Sequence, residues 1–251
     1  MNYGRRIADF NGVKVWLFHP PVFDKNGVIR IHEANVENII TPLLRRDYTI
    51  KSIKRIVLDP GHGGHDKGAV GKISFEKDLN LKLALKIKDE LEKAGFEVFM
   101  TRSDDTFLPL DERSSFAKEH NADIFISIHH NAASVSAANG VEIFTLPPAG
   151  IASSHENGGK ITDALPGNSF DHANINLSYL IYSNIIKNTD LNDRGMKFAR
   201  YQVLTAAPCP AVLLEAGFIS NAKEEALLNN SDIHAKIAEA IALTFFPSER
   251  K

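Results

Sequence analysis

An α/β fold is predicted, with a mostly parallel twisted sheet of about six strands and helices on both faces. Three observations carry this. Residues 56–58, 124–128 and 212–214 are short, largely unbroken apolar runs, the pattern of strands covered on both faces. Amphipathic stretches alternate with those runs, as crossover helices between parallel strands do. The first run breaks into the glycine-rich turn Gly61-His62-Gly63-Gly64, placing a loop between a strand and the helix that follows.

Taken in order, residues 1–50 form a small β-containing segment. Residues 13–18 and 27–31 alternate apolar and polar side chains around the Pro20-Pro21 break and read as two short strands, a hairpin. Residues 35–40 suggest a helical turn that stops before Pro42. Fifty residues are marginal as an independent fold, so this piece is expected to pack on the main domain, residues 52–247. His19 and His32 read as surface or structural residues.

Residues 53–59 are the first strand of that domain. Leu79, Leu83, Ile87 and Leu91 recur at helical spacing, giving a helix over 77–93 that Gly95 stops. A strand over 96–101, a helix over 110–120, a strand over 123–128 and another over 141–146 follow. Residues 147–174, rich in Pro, Gly, Ser and Asn, read as a long loop on the substrate side, with an autoinhibitory role as the alternative. A helix over 175–186, strands over 201–205 and 211–214, a short helix opened by an Asn221/Glu224 capping box, and a closing helix marked by Ile233, Ile237, Ile241 and Phe245 complete the chain.

The totals bound the function. With 251 residues, 43% apolar and 24% charged, the chain can bury a sizeable core. A formal net charge of −2 gives no electrostatic case for nucleic acid. One cysteine, Cys209, leaves no internal disulfide and no cysteine-based zinc site; it reads as a small core residue. No apolar run approaches the roughly 20 residues of a transmembrane segment, and no basic-then-apolar signal segment opens the chain.

In open α/β sheets the functional crevice lies beyond the C-terminal strand ends. His62, His129 and Glu215 each end a buried strand, and Glu76 opens the helix leaving the first strand's loop. Taken singly, Glu76 reads as a first-turn carboxylate complementing the helix dipole, and each histidine as a hydrogen-bonded structural residue. Together they form a polar cluster with no basic partner nearby in sequence, which a cation would make tolerable. Two imidazoles and a carboxylate suit zinc with a fourth position open, and Glu215 would work beside it. A phosphate-cradling role for residues 61–64 is the competing reading, but the Lys-Ser/Thr ending of a P-loop is missing.

These motifs resemble the zinc-dependent N-acetylmuramoyl-L-alanine amidases of the amidase 3 type. The resemblance rests on Asp59-Pro60-Gly61-His62-Gly63-Gly64, Glu76-Lys77-Asp78-Leu79-Asn80-Leu81, Thr101-Arg102 with Asp105, Leu110 and Arg113, Ser127-Ile128-His129 with Asn131, Arg194-Gly195-Met196-Lys197, and the run from Pro210 to Asn221. It covers residues 53–246. It implies zinc on His62, Glu76 and His129, Glu215 as the catalytic carboxylate, and hydrolysis of the amide joining N-acetylmuramic acid to L-alanine of the stem peptide. His130 stands where the family usually has a small residue; strand alternation lets only one of His129 and His130 face the metal, and the motif register picks His129. His130 reads as a substrate contact or a bland neighbour, Asn131 as a candidate substrate contact, and His65 as a surface residue. The implied partner is peptidoglycan or muropeptides, met outside the cytoplasm in periplasm or cell wall, by a monomer whose activator, if any, is unassigned. A catalytically inactive wall-binding module, or a zinc carboxypeptidase or deacetylase of peptidoglycan, are the alternatives.

Overall fold

The computed structural model describes residues 5–45, 53–154 and 161–246. The expected boundary between residues 50 and 52, the domain end at 247, and residues 155–160 of the long loop lie outside the described residues.

The strands are β1 (Ile7–Phe10), β2 (Val13–Trp16), β3 (Val22–Phe23), β4 (Ile29–Arg30), β5 (Arg55–Pro60), β6 (Glu97–Met100), β7 (Ile124–Asn131), β8 (Val141–Thr145), β9 (Asp193–Phe198) and β10 (Ala211–Phe218). The helices are α1 (Glu33–Asn35), α2 (Thr41–Leu44), α3 (Glu76–Lys93), α4 (Leu110–Glu119), α5 (Asp171–Asn188), α6 (Gln202–Thr205), α7 (Ala222–Leu228) and α8 (Ser231–Ala242). Eight strands form one sheet in the order β1-β2-β9-β8-β10-β7-β5-β6, and β3 pairs only with β4. The pairs β5–β6, β5–β7, β7–β10, β8–β9 and β2–β9 are parallel, while β1–β2 and β8–β10 are antiparallel.

The apolar runs of β7 and β10 are divided between two cores. Ile124, Ile126, Ile128, Val212 and Leu214 pack with Leu83, Ile87, Ile181 and Ile237 of α3, α5 and α8. Val57, Phe125 and Leu213 face the other way, onto Ala117 of α4 and Val203 and Leu204 of α6. Cys209 is free and buried in this second core. Continuous hydrophobicity in sequence thus reflects burial on both faces.

Several expected elements differ. Residues 13–16 do not pair with 27–31. They turn at Asn11-Gly12, both at positive φ, to pair with β1, and β2 then joins the main sheet beside β9. The helical stretch does not stop before Pro42. It runs from Glu33 through a wider π-type turn, Val36–Ile40, into α2. Pro42 sits at the opening of α2, where its missing N–H is tolerated. Residues 201–205 are not a strand: Val203 and Leu204 are neighbours buried in one core, which helical but not strand geometry allows. The strand beside β8 is instead β9, whose Asp-Arg-Gly start hides its apolar centre. Asn221 caps α7 through Lys223 N and Glu224 N, but Glu224 does not reach back to close the box. Its carboxylate accepts from Gly140 N (2.7 Å) and Phe218 N (2.9 Å).

Candidate metal centre and its surroundings

Strand β5 leads into a turn held from beneath by two arginines. Arg102 donates to the carbonyls of Pro60 (2.9 Å) and Gly61 (2.9 Å), and Arg113 to those of Pro60 (3.0 Å) and His62 (3.0 Å). Below them Asp59 is fully buried and accepts from Arg113 Nη1 (2.7 Å), Thr101 Oγ1 (2.7 Å) and Ser127 Oγ (2.8 Å). Asp59→Ala would leave a buried guanidinium without its charge partner. Urea unfolding should show a loss of roughly 3–5 kcal/mol, the usual result of breaking a buried pair.

The arginine clamp fixes His62 in the left-handed region, φ 62°, a conformation a non-glycine residue keeps only when its surroundings demand it. Gly61 makes room for the partner histidine, since a Cβ there would lie 2.1 Å from His129 Cε1. Gly68, at φ +64°, passes so close that a Cβ would lie 2.5 Å from Glu76 Oε2 and 2.6 Å from His62 Cδ2. The loop 71–74 is gripped by the buried Glu225, which accepts from Lys72 N (3.0 Å), Ile73 N (2.8 Å) and Ser74 N (3.0 Å). Glu76 follows at the first position of α3, and its Oε2 accepts from Ala69 N (2.8 Å).

These constraints bring His62, Glu76 and His129 together. Their donor atoms all lie within 4.8 Å of one another, and the three form a group able to hold a metal ion. Glu76 Oε1 is 3.2 Å from His62 Nε2 and 2.8 Å from His129 Nδ1. Burial would raise the Glu76 carboxyl, but its contacts with His129 and His62 outweigh that and hold it well below the usual carboxylate range. His62 is raised: burial pulls it down, and Glu76 and Asp66 more than reverse this. Asp66 Oδ2 lies 2.8 Å from His62 Nδ1, which leaves Nε2 to face Glu76, the carboxylate–histidine arrangement that sets a ligand's orientation. An anionic carboxylate between two imidazoles fits a divalent cation of nitrogen and oxygen preference. Among the described residues, no fourth His, Cys, Asp or Glu joins the group.

Glu215 stands in β10 directly beside His129 of β7. It is 8% exposed, and its Oε2 has no hydrogen-bond partner among the described residues. Burial first, then the charges of Glu76 and Glu142, raise its carboxyl well above the usual range, with Lys197 opposing. Glu215 and the three ligand candidates line one cleft of about 490 Å³, together with Phe107, Leu108, Leu110 and Tyr201.

Both expected substrate contacts, His130 and Asn131, border this cleft, and Asn131 donates to Glu142 Oε2 (3.3 Å). The His130 side chain has no exposed surface there. Strand alternation turns its ring away from His129's side and into the α3–α8 layer, where it is fully buried. Its Nδ1 lies 2.7 Å from Asn80 Oδ1, and Asn80 Nδ2 donates to Gly61 O (3.1 Å). Burial pushes its imidazole down to about 3; through Asn80 it braces the Gly61 turn from behind. His65 is exposed and rests on Phe107, with ring centroids 4.2 Å apart. No described residue of 147–174 lines the cleft.

Three functional candidates were not singled out by the sequence reading: Asp66, Glu142 and Lys197. Glu142 accepts from Lys197 Nζ (2.6 Å) and from Arg194, all behind Glu215. A signal existed for Glu142, the single charge inside the apolar run 141–146, but not for Lys197, whose strand opens with Asp193 and Arg194. Asp66 follows His62 by four residues in a loop whose shape sequence does not reveal.

Comparisons with known proteins follow the same lines. Residues 56–244 match the family model described as N-acetylmuramoyl-L-alanine amidase. The chain is 37% identical over 211 residues to the N-acetylmuramoyl-L-alanine amidase AmiA of Escherichia coli, covering 74% of this chain and 73% of that one. It is 37% identical over 189 residues to LytH of Staphylococcus epidermidis, described as a probable cell wall amidase, covering 74% of this chain but only 55% of LytH. Among solved structures, the catalytic domain of CwlV, an N-acetylmuramoyl-L-alanine amidase from Bacillus (Paenibacillus) polymyxa var. colistinus, superposes with a TM-score of 0.61 at 35% identity, over 76% of this chain and 96% of that one.

Proposed function

The chain belongs to the N-acetylmuramoyl-L-alanine amidase family, and on that premise we propose that it uses zinc, held by His62, Glu76 and His129, to hydrolyse the amide between the lactyl group of N-acetylmuramic acid and L-alanine of the peptidoglycan stem. The observation that carries the reading is the convergence of those three donors within 4.8 Å, with the buried Glu215 beside them on the next strand. When bound, zinc supplies a Lewis acid that polarises the amide carbonyl and activates water.

The chain's own residues do the rest. Glu76 stays anionic and offsets only part of a dication's charge, leaving the site positive where an oxyanion develops. Asp66 holds Nδ1 of His62, so that Nε2 is the atom offered to the metal. Glu215 takes a proton from the attacking water on a carboxylate oxygen and returns it to the departing amine. Its burial favours the protonated form, which suits the second half of that exchange. All four residues come from one chain, so the site needs no second copy to be complete. The substrate lies outside the cytoplasm, and so should the working enzyme. No described helix is long and apolar enough to cross a membrane.

Digestion of purified sacculi with the zinc-loaded protein, followed by mass analysis, tests the bond. Free peptides with a new N-terminal alanine, and intact glycan strands carrying free lactyl carboxylates on their muramic acid residues, are expected. Loss of only the terminal stem residue, or of acetyl groups, would replace the amidase reading with a carboxypeptidase or a deacetylase. Asp66→Asn should raise the zinc Kd by roughly 10–100-fold without unfolding the chain, as read by competition with a chromophoric chelator. Unchanged affinity would show that Asp66 does not orient His62.

A further inference from the structure

Strand β2 lies outside residues 56–244, the part that matches the family, yet it reaches the charges behind Glu215. Its last residue, Trp16, rests on β9. The indole Nε1 donates to Arg194 O (3.3 Å), and Gly195, at φ +101°, is bare where a Cβ would fall 2.9 Å from Trp16 Cδ1. Lys197 of β9 is 2% exposed, and its ammonium sits 5.3 Å from the centre of the Trp16 ring and 5.9 Å from that of Phe144. The same ammonium donates to Glu142 Oε1 (2.6 Å). Glu142 of β8 is paired across the antiparallel ladder with Glu215 of β10, which is paired in turn with His129 of β7. In the ladder Lys197 is in register with Phe144, and its side chain reaches diagonally to Glu142, two residues back on the same face. Trp16, Lys197, Glu142, Glu215 and His129 are therefore linked by contacts and ladder pairs across five adjacent strands, β2-β9-β8-β10-β7.

Two buried carboxylates side by side need a fixed countercharge. A lysine ammonium on a four-carbon stem is a poor fixture, since it gains hydration by swinging outward. The face of an indole holds a cation best among the aromatic rings, and more strongly where water is excluded. We infer that Trp16 is a positioning residue for the reaction: its ring clamps Lys197 onto Glu142, so that Glu142 stays neutralised and held off Glu215. The N-terminal segment is thus a working part of the catalytic domain. This rests on the amidase reading for what Glu215 does, but the contact itself can be read without substrate.

The test uses the full chain loaded with zinc. Trp16→Leu, which keeps an apolar group but removes the ring, should lower kcat on a muropeptide roughly tenfold. KM and bound zinc should stay within about twofold, because ground-state binding is untouched. Trp16→Phe, which retains a ring, should recover most of the rate. In a Glu142→Gln background Trp16→Leu should cost nothing further, since the charge pair of Lys197 with Glu142 is already gone. Trp16 is the only tryptophan in the chain, so its emission reports the clamp directly, and Lys197→Met should shift the emission maximum. The inference is overturned if Trp16→Leu keeps the parental kcat, if Phe is no better than Leu, if the loss persists undiminished beside Glu142→Gln, or if Lys197→Met leaves the emission unmoved. Should the Leu variant not fold, Trp16→Phe and the emission arm decide. A parent that frees no N-terminal alanine would refute the amidase reading while the emission result still judges the clamp.

Discussion

Glu215→Gln is expected to lose at least about a thousandfold in kcat while keeping its metal and its fold. General acid–base transfer by a placed side chain contributes roughly 10²–10⁴ in rate, and here one carboxylate serves both halves of the exchange. Glutamine has the same shape but cannot accept the proton. The fold should not suffer, because the native residue is not there for stability. Its Oε2 has no hydrogen-bond partner among the described residues, and Glu76 and Glu142 both oppose its charge. Removing that charge should leave the melting temperature unchanged or raise it, the usual sign of a residue kept for activity. The decisive comparison is muropeptide turnover against zinc content and thermal unfolding in the same preparation. Turnover within tenfold of the parent would remove Glu215 from the catalytic role.

His62→Ala should abolish metal binding, and with it activity, by more than the roughly 10–100-fold that loss of a supporting partner brings. The variant leaves two donors, His129 and Glu76, where catalytic zinc sites use three. It also leaves Asp66 without its imidazole partner and relaxes the left-handed turn, because alanine gains nothing from holding φ near 62°. Metal analysis of the purified variant should find far less than one zinc per chain. Chelation of the parent followed by zinc addition should reproduce the loss and then reverse it. Stoichiometric zinc in His62→Ala would contradict the ligand assignment.

Much of this architecture was legible because burial leaves a plain trace. The runs at 56–58, 124–128 and 212–214 could only be strands covered twice, and Leu79 to Leu91 could only be one buried helical stripe. The same logic placed His62, His129 and Glu215 at one end of the sheet. What escaped depended on contacts between distant segments. Residues 193–198 open with Asp, Arg and Gly and hide a strand whose apolar centre is only Met196 and Phe198, while Val203 and Leu204 mimic strand residues though both pack on α4's side. The direction of His130 followed from alternation, but what lay behind it, Asn80, did not. The support for Glu76 from Glu225, nearly 150 residues away, has no local signature; those contacts span 151 to 153 residues.

The hairpin β1–β2 has a further consequence for handling the protein. It occupies the flank of β9, with Lys14 N donating to Asp193 Oδ2 (2.8 Å) and Val15 in register with Met196. Trimming the chain to the stretch its relatives share would turn β9 into a raw sheet margin, with unsatisfied amides and apolar side chains facing water. Such margins recruit other chains. A shortened version should therefore stick to itself and sediment as aggregates, where the longer chain stays dispersed.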